Sequence, residues 1–531
     1  MAAEDRAAMM ARPGRVEPSV RAAELVGALA LATDLGTGQP LEHALRTAVL
    51  AVRLGELAGV SPTELGDTYY VALLHASGCT SNSHEAAQLF GDDIAHRAAF
   101  FLIDPADPAQ VLGFYREHVG AGRPAEAREG MLEAVLANPA RAGETFAAMC
   151  EVAQRFAAWL GLGPGVEGAL EYVFARWDGR GLPREVGGEA LPLPARLLHV
   201  ARDVSLFLSA GGPSEARAVI ERRAGEAYEP RLVELALEDL DDAVSELDEA
   251  RLWEIALERE PFPQVTLIGD RIDAGFGAIA TLIGLKSPWL REHCVGVADL
   301  AEAAAWRVGL PADDVTFLRR AALAHDLGRI SVPNAIWEKP GPLGVGEWER
   351  VRLHSYFTER AFAHCPALAE LGRLAGSHHE RLDGSGYHRG TEGAALHQAE
   401  RILAAADCYT AMREARPYRP ALEPAAAQAE LEREVAEGGL DGPAVDAVLA
   451  AAGHHVPKRP RELPGGLTGR ELEVLLALVL GHSNQTIADG LGISAKTVGH
   501  HVQHLYQKAG VRSRAAATVW AFEHDLVHAA L

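Results

Sequence analysis

An all-α chain, two helical domains in tandem followed by a small four-helix tail, is the fold class that the sequence predicts. Three observations carry that expectation. Alanine is abundant while aromatic residues make up only 6% of the 531 residues, a balance that favours helices over sheets. Apolar residues recur at helical spacing, as at Leu318, Ala321, Ala322 and His325, and no stretch sustains the period-2 alternation of a half-buried strand. Finally, segments of the body recur at fixed offsets, the mark of a duplicated domain.

The length of 531 residues exceeds what one core holds and implies three or four domains. Apolar content of 48% and charged content of 23% are those of globular protein. The five cysteines, Cys79, Cys150, Cys294, Cys365 and Cys408, form no framework of paired spacings, so a reducing compartment is expected. The N-terminal stretch MAAEDRAAMMARPGR has acids and no apolar core, and no apolar run approaches ~18 residues. The expectation is a cytoplasmic protein with no membrane partner.

A net charge of −23 argues against a chain that coats nucleic acid along its length. The charge is uneven, however: Lys458 to Leu531 holds eight Lys/Arg against six Asp/Glu. A near-neutral to basic tail on an acidic body suits a local DNA contact.

The repeat defines the body. His43 and His293 lie 250 positions apart, as do His75 and His325, each of the latter ending an apolar stretch shortly before a glycine (Leu73-Leu-His-Ala-Ser-Gly78; Leu323-Ala-His-Asp-Leu-Gly328). Further on, Trp177-Asp-Gly-Arg-Gly-Leu-Pro-Arg184 matches Leu382-Asp-Gly-Ser-Gly-Tyr-His-Arg389 at an offset of 205, and Arg196-Leu197 matches Arg401-Ile402 at the same offset. The first copy therefore carries about 45 extra residues in its middle. The breaks at Glu260-Pro-Phe-Pro263 and at the Pro/Gly-rich, basic stretch Pro457–Gly466 divide the chain into a first copy (1–258), a second copy (265–456), a linker (457–466) and a tail (467–531).

The second copy holds His293, His325, Asp326, His354, His378, His379 and Asp407. Five histidines and two aspartates, several on apolar helices, are costly to bury without a cation. Imidazoles and carboxylates without a cysteine pattern suit Fe, Mn or another first-row divalent ion. Adjacent His325 and Asp326 can ligate together, with the carboxylate bridging two ions. Such a pair activates water for an in-line phosphoester displacement.

These spacings resemble the HD-GYP phosphodiesterases, HD phosphohydrolases that cleave cyclic di-GMP. The resemblance runs from about Ser287 to Val448 and rests on His325-Asp-Leu-Gly-Arg-Ile-Ser-Val-Pro333, Lys339-Pro-Gly-Pro-Leu343, Glu347-Trp-Glu-Arg-Val-Arg-Leu-His354, His378-His-Glu-Arg-Leu-Asp-Gly-Ser-Gly-Tyr387, Arg401-Ile-Leu-Ala-Ala-Ala-Asp407 and Arg416-Pro-Tyr-Arg419. It implies that all seven residues ligate metal, two Fe or Mn ions. It also implies that Asp326 and Arg329 serve catalysis, and that Tyr387, Arg416 and Arg419 contact a cyclic dinucleotide. The chain departs from the family in three places: Arg329 replaces a lysine, His388 replaces the proline of the GYP signature, and Trp289 stands where some members place a third-metal glutamate. Two metals are therefore expected rather than three.

The first copy keeps His43 and His75 but has Ala76 for Asp326, Val173, Phe174 and Ala175 for His378, His379 and Glu380, and Arg202 for Asp407. An arginine at a ligand position repels a divalent cation, so this copy reads as a regulatory or dimerising pseudo-domain. The rival cluster His75, Cys79 and His84 fits no zinc spacing.

In the tail, Thr468 and Glu471 form a capping box, and Val474, Leu475, Leu478 and Val479 give one apolar face. Ser483 caps a second helix (484–491), Gly492 turns, and Ser494 caps a third (495–509). That is a helix-turn-helix, whose later helix enters the major groove. The tail resembles the LuxR/FixJ-type C-terminal domain through Leu467-Thr-x-Arg-Glu-x-Glu-Val-Leu475, Ser483-Asn484, Ile487-Ala488, Leu491-x-Ile-Ser-x-Lys-Thr-Val498 and Val511-Arg-Ser-Arg514. The resemblance implies that Lys496, Thr497, His500 and Gln503 face double-stranded DNA and that Lys508, Arg512 and Arg514 meet phosphates. The whole reads as a homodimeric DNA-binding regulator whose HD-type domain senses or hydrolyses a cyclic dinucleotide. The alternative is a phosphodiesterase that its tail only localises.

Overall fold

The computed structural model describes residues 19–524 and 526–527, apart from 139, 185 and 457–462. The N-terminal stretch read above for targeting signals, and most of the linker, lie outside the described residues. The chain divides into two compact units, Met1–His454 and His455–Leu531. Both are helical, as the alanine-rich, 3.6-periodic sequence predicts. No helix among the described residues is long and apolar enough to cross a membrane.

In the first unit, the first copy runs through β1 (Ser19–Arg21), α1 (Ala22–Thr37), α2 (His43–Leu57), α3 (Pro62–Leu74), α4 (Ser83–Phe90), α5 (Asp93–Leu102), α6 (Pro108–His118), α7 (Ala125–Ala137), α8 (Ala140–Leu160), α9 (Pro164–Leu170), α10 (Leu193–Arg222), α11 (Pro230–Glu246) and α12 (Leu252–Glu258). The second copy follows as β2 (Thr266–Ile268), α13 (Asp270–Leu285), α14 (His293–Val308), α15 (Ala312–Ala324), α16 (Asn334–Trp337), α17 (Val345–Ala363), α18 (Ala369–Ala375), α19 (Gln398–Arg413), α20 (Pro424–Ala436) and α21 (Gly442–Ala451).

The copies face one another like the halves of an isologous dimer. The equivalent strands β1 and β2 pair antiparallel, with Val20 opposite Leu267. Helix α1 packs on α17 of the second copy while its counterpart α13 packs on α8, the equivalent of α17, in the first. Helix α1 is mostly apolar and buried almost throughout, as suits a helix wedged between two cores. Gly36 near its end marks a close approach: a Cβ there would sit 2.3 Å from the Ile330 side chain.

The extra segment of the first copy forms α4 to α7. It docks against the second copy through a buried charge cluster. Asp93 accepts from the Asn334 backbone N–H (2.7 Å) and lies 3.3 Å from Lys286 Nζ, and Arg97 lies 3.2 Å from the same carboxylate. His84 Nδ1 meets Glu338 at 2.7 Å.

In the second unit, the turn Pro464–Gly466 precedes α22 (Gly469–Val479), α23 (Asn484–Leu491), α24 (Ala495–Ala509) and α25 (Arg514–Glu523). Thr468, Ser483, Ser494 and Ser513 cap these four helices through their side-chain oxygens, each satisfying an orphan N–H of a first turn. Val474, Leu478, Ile487, Ala488 and Val498 form one small core, and Leu475, Leu505, Ala517 and Ala521 another.

Candidate metal centre

His325 ends α15, and Asp326 begins the tight turn Leu327–Ser331. Gly328 lets that turn press onto α17, since a Cβ there would lie 1.9 Å from the His354 carbonyl oxygen. Thr358 Oγ1 stitches the contact, accepting from Gly328 N and donating to His325 O, each at 2.9 Å. His293 opens α14, His378 and His379 follow α18, and Asp407 lies within α19. Five segments thus converge, and all seven sequence-predicted ligands meet.

They form two groups, His293, His325 and Asp407 in one and His354, His378 and His379 in the other. Asp326 lies between them. Its Oδ2 is 3.3 Å from His325 Nε2 and 3.5 Å from His293 Nε2, and its Oδ1 is 3.5 Å from both His354 Nε2 and His378 Nε2. Four of the five imidazoles are oriented from behind, their Nδ1 atoms on Ala322 O, Val351 O, Ala375 O and the Glu414 carboxylate. The inward atoms are left short of partners: His293 Nε2, His325 Nε2 and both Asp326 oxygens are buried without a hydrogen bond. Buried polar atoms that converge without hydrogen bonds are costly, and this donor set fits divalent cations.

The electrostatics keep most ligands in the form a metal takes. Burial pushes up the Asp326 carboxyl, but Arg329 and His325 outweigh it and hold the group well below the usual carboxylate range. Asp407 is likewise held well below, His293 countering its burial. Burial depresses His378 and His379, and takes His354 down to about 4. His293 differs: burial opposes its charge, yet Asp407 and Glu414 raise it to about 9. Neutral imidazole and ionised carboxylate are the states that ligate.

Arg329 stacks on Trp337 at 4.5 Å and lies 2.9 Å from Asp326 Oδ2. Tyr387 lies 4.7 Å from the His379 ring. Arg416 binds Glu414 (2.7 Å) and donates to the Trp289 carbonyl. Arg419 reaches the carbonyl oxygens of Ala411, Met412, Glu414 and Pro420, bracing the end of α19. Sequence reasoning missed Glu414, which no motif marks, and Cys294, whose thiol lies near His325 and Asp326.

In the first copy the same close approach survives, since a Cβ at Gly78 would lie 1.8 Å from the Met149 carbonyl oxygen. Beside that turn the contacts are apolar. Phe101 from the extra segment, with Phe146 and Phe174, packs on Ala76, Cys79 and Met149. Arg202 pairs with Asp203 (2.8 Å), which also binds Arg223 and Tyr228. Burial holds His75 down to about 4. His84 faces Glu338 of the second copy rather than Cys79.

In the tail, Lys496, Thr497, His500, Gln503 and Arg512 are exposed. Lys508 binds Glu471 at 2.7 Å, closing the capping box from outside, and Arg514 donates to the carbonyls of Leu478 and His482. Both cations thus make contacts within their own domain.

Comparison with known proteins places both parts. Residues 278–443 match the HD domain, and 466–521 match the luxR family of bacterial regulatory proteins. The 3'3'-cGAMP-specific phosphodiesterase 3 of Vibrio cholerae serotype O1 is 31% identical over 405 residues, 75% of this chain and 88% of that protein. The cyclic di-GMP phosphodiesterase response regulator RpfG of Xanthomonas campestris is 29% identical over 174 residues, 32% of this chain and 45% of that protein. The crystal structure of the V. cholerae cyclic GMP-AMP-specific phosphodiesterase V-cGAP3 matches with a TM-score of 0.60 at 27% identity, covering 82% of this chain and 99% of that one. The chain belongs to the HD-GYP family of HD-domain proteins and carries, after that domain, a helix-turn-helix domain of the luxR family of bacterial regulators.

Proposed function

We propose that the protein is a DNA-binding transcriptional regulator whose second copy binds two divalent ions, iron or manganese, and takes a cyclic dinucleotide phosphodiester. One observation carries the metal reading: the two oxygens of Asp326 face two separate histidine groups, as a bridging carboxylate requires. His293, His325 and Asp407 would hold one ion, and His354, His378 and His379 the other. Bound there, the ions supply a water nucleophile and neutralise phosphoester oxygens.

The chain's own residues do the rest. Arg329, fixed on Trp337, keeps Asp326 ionised and places a cation beside the reacting phosphate. Tyr387 and Arg416 contact the substrate, the guanidinium suiting paired phosphate oxygens. Arg419 acts with them by setting the loop that carries Arg416. The V. cholerae relative named for 3'3'-cGAMP makes cyclic dinucleotides the substrate class to test. Through Lys496, Thr497, His500 and Gln503 the tail reads DNA as one half of a dimer.

The test is metal analysis coupled to hydrolysis assays on a panel of cyclic dinucleotides. Metal-dependent cleavage of one or more of them is expected, and a metal-loaded protein that neither binds nor cleaves any would refute the substrate class. A non-hydrolysable cyclic dinucleotide analogue then separates the two modes of action. Promoter regulation that follows ligand binding without turnover marks a sensor, and regulation that vanishes with turnover marks an enzyme that its tail localises.

A further inference from the structure

We propose that Glu414 is a positioning residue for the metal centre: its carboxylate fixes the ring of His293 with Nε2 turned inward, and ties that ring to Arg416. The inference rests on the metal reading above and goes one shell further out.

The need for it lies in helix geometry. His325, His354 and His378 each place Nδ1 on the carbonyl three residues earlier, Ala322, Val351 and Ala375. Those carbonyls belong to a helix that precedes or contains the histidine. His293 has no such helix behind it, because it is the first residue of α14. The carbonyl three residues before it, Leu290 O, accepts the His293 backbone N–H instead. An acceptor must come from elsewhere in the fold, and Glu414 supplies it at 2.9 Å.

A carboxylate in this place does more than a carbonyl. It holds the proton on Nδ1, keeps the Nε2 lone pair for a cation, and raises the basicity of the ring. It is itself held, since Arg416 Nη2 lies 2.7 Å from the same oxygen, Oε2, and Arg416 is anchored in turn on the Trp289 carbonyl. Substrate arm and metal ligand therefore share one carboxylate oxygen.

The first copy supplies the contrast. There His43, the counterpart of His293, has its Nδ1 3.0 Å from the hydroxyl of Ser205. Ser205 lies in α10, the counterpart of α19, and the residue matching Glu414 is Ser209, which binds Arg46 instead. Each copy satisfies this histidine from the same helical arm. Only the copy with the full ligand set does so with a charge.

The test uses the full chain. Iron(II) and manganese(II) affinities are measured anaerobically by competition with a chromogenic chelator for wild type, Glu414→Ala, Glu414→Gln and His293→Ala. Glu414→Ala is expected to weaken one of the two metals by about 10- to 100-fold while the other binds as in wild type and the circular dichroism stays unchanged. Glu414→Gln, whose amide oxygen still accepts from Nδ1, is expected to recover part of the loss. Wild-type affinity in Glu414→Ala, alongside loss in His293→Ala, would overturn the inference and leave the metal reading standing. Wild-type affinity in His293→Ala would overturn the ligand assignment itself. A Glu414→Ala protein that loses both metals equally would also count against it, since the carboxylate touches one ligand only.

Discussion

Replacing Asp93 by alanine tests how the two copies are joined. Asp93 and Lys286 come from different copies, both side chains have 0% exposure, and their charged atoms are 3.3 Å apart. Burial already depresses the Lys286 ammonium, and Asp93 is the main group that restores it. Without Asp93 the ammonium is buried and uncompensated, and the Asn334 N–H loses its acceptor. Breaking one partner of a buried pair in this way costs about 3–5 kcal/mol, whereas replacing both by apolar groups is often close to neutral. Asp93→Ala should therefore lower the urea midpoint of the unit 1–454 by the equivalent of that energy, and Asp93→Ala/Lys286→Met should recover the part due to Lys286, while Arg97 and the Asn334 N–H stay without that carboxylate. The measurement is urea unfolding of the full chain, followed by circular dichroism and by hydrogen exchange at α1 and α13. A single variant costing under about 1 kcal/mol, the range of an exposed pair, would refute the reasoning. So would a double variant as unstable as the single.

Other outcomes follow from the same geometry. Deleting 467–531 should abolish binding of specific double-stranded DNA, and wild-type affinity should fall log-linearly with salt as counterions are released; a salt-independent shift would contradict phosphate contact. In the tail, burial raises the Glu471 carboxyl but Lys508 and Thr468 together hold it below 4.5, so its contribution is complete above that pH and is lost as pH falls through the depressed folded value. Glu471→Gln should flatten that acid dependence, read by hydrogen exchange of the tail amides. His75→Ala should leave the metal content of the full chain unchanged, because the first copy has Ala76 and Arg202 where the second has Asp326 and Asp407.

Features written in neighbouring residues were legible in the sequence. The caps at Thr468, Ser483 and Ser494 act on the next turn of their own helices, so their spacing alone reveals them. The convergence of the seven histidine and aspartate side chains was legible as a set because each ends, begins or faces inward from an apolar helix. Features made by distant segments were not. Two three-residue strands are too short to show alternation, so the β1–β2 pairing of the copies left no trace. Asp93 and Lys286 look like ordinary surface charges until α5 is docked. The contacts of Lys508 with Glu471 and of Arg514 with the Leu478 and His482 carbonyls likewise join segments far apart in sequence, and no spacing announces them. Glu414 sits beside the Arg-Pro-Tyr-Arg stretch and gains its role only where the end of α19 meets the start of α14.

The central claim is that Asp326 bridges two divalent ions in the second copy. Elemental analysis of anaerobically purified wild type and Asp326→Ala, both checked for native helix content, tests it most directly. The account predicts two equivalents of iron or manganese in wild type and loss of both together in the variant. A wild type without metal, or an Asp326→Ala protein that keeps either ion at full occupancy, would contradict it.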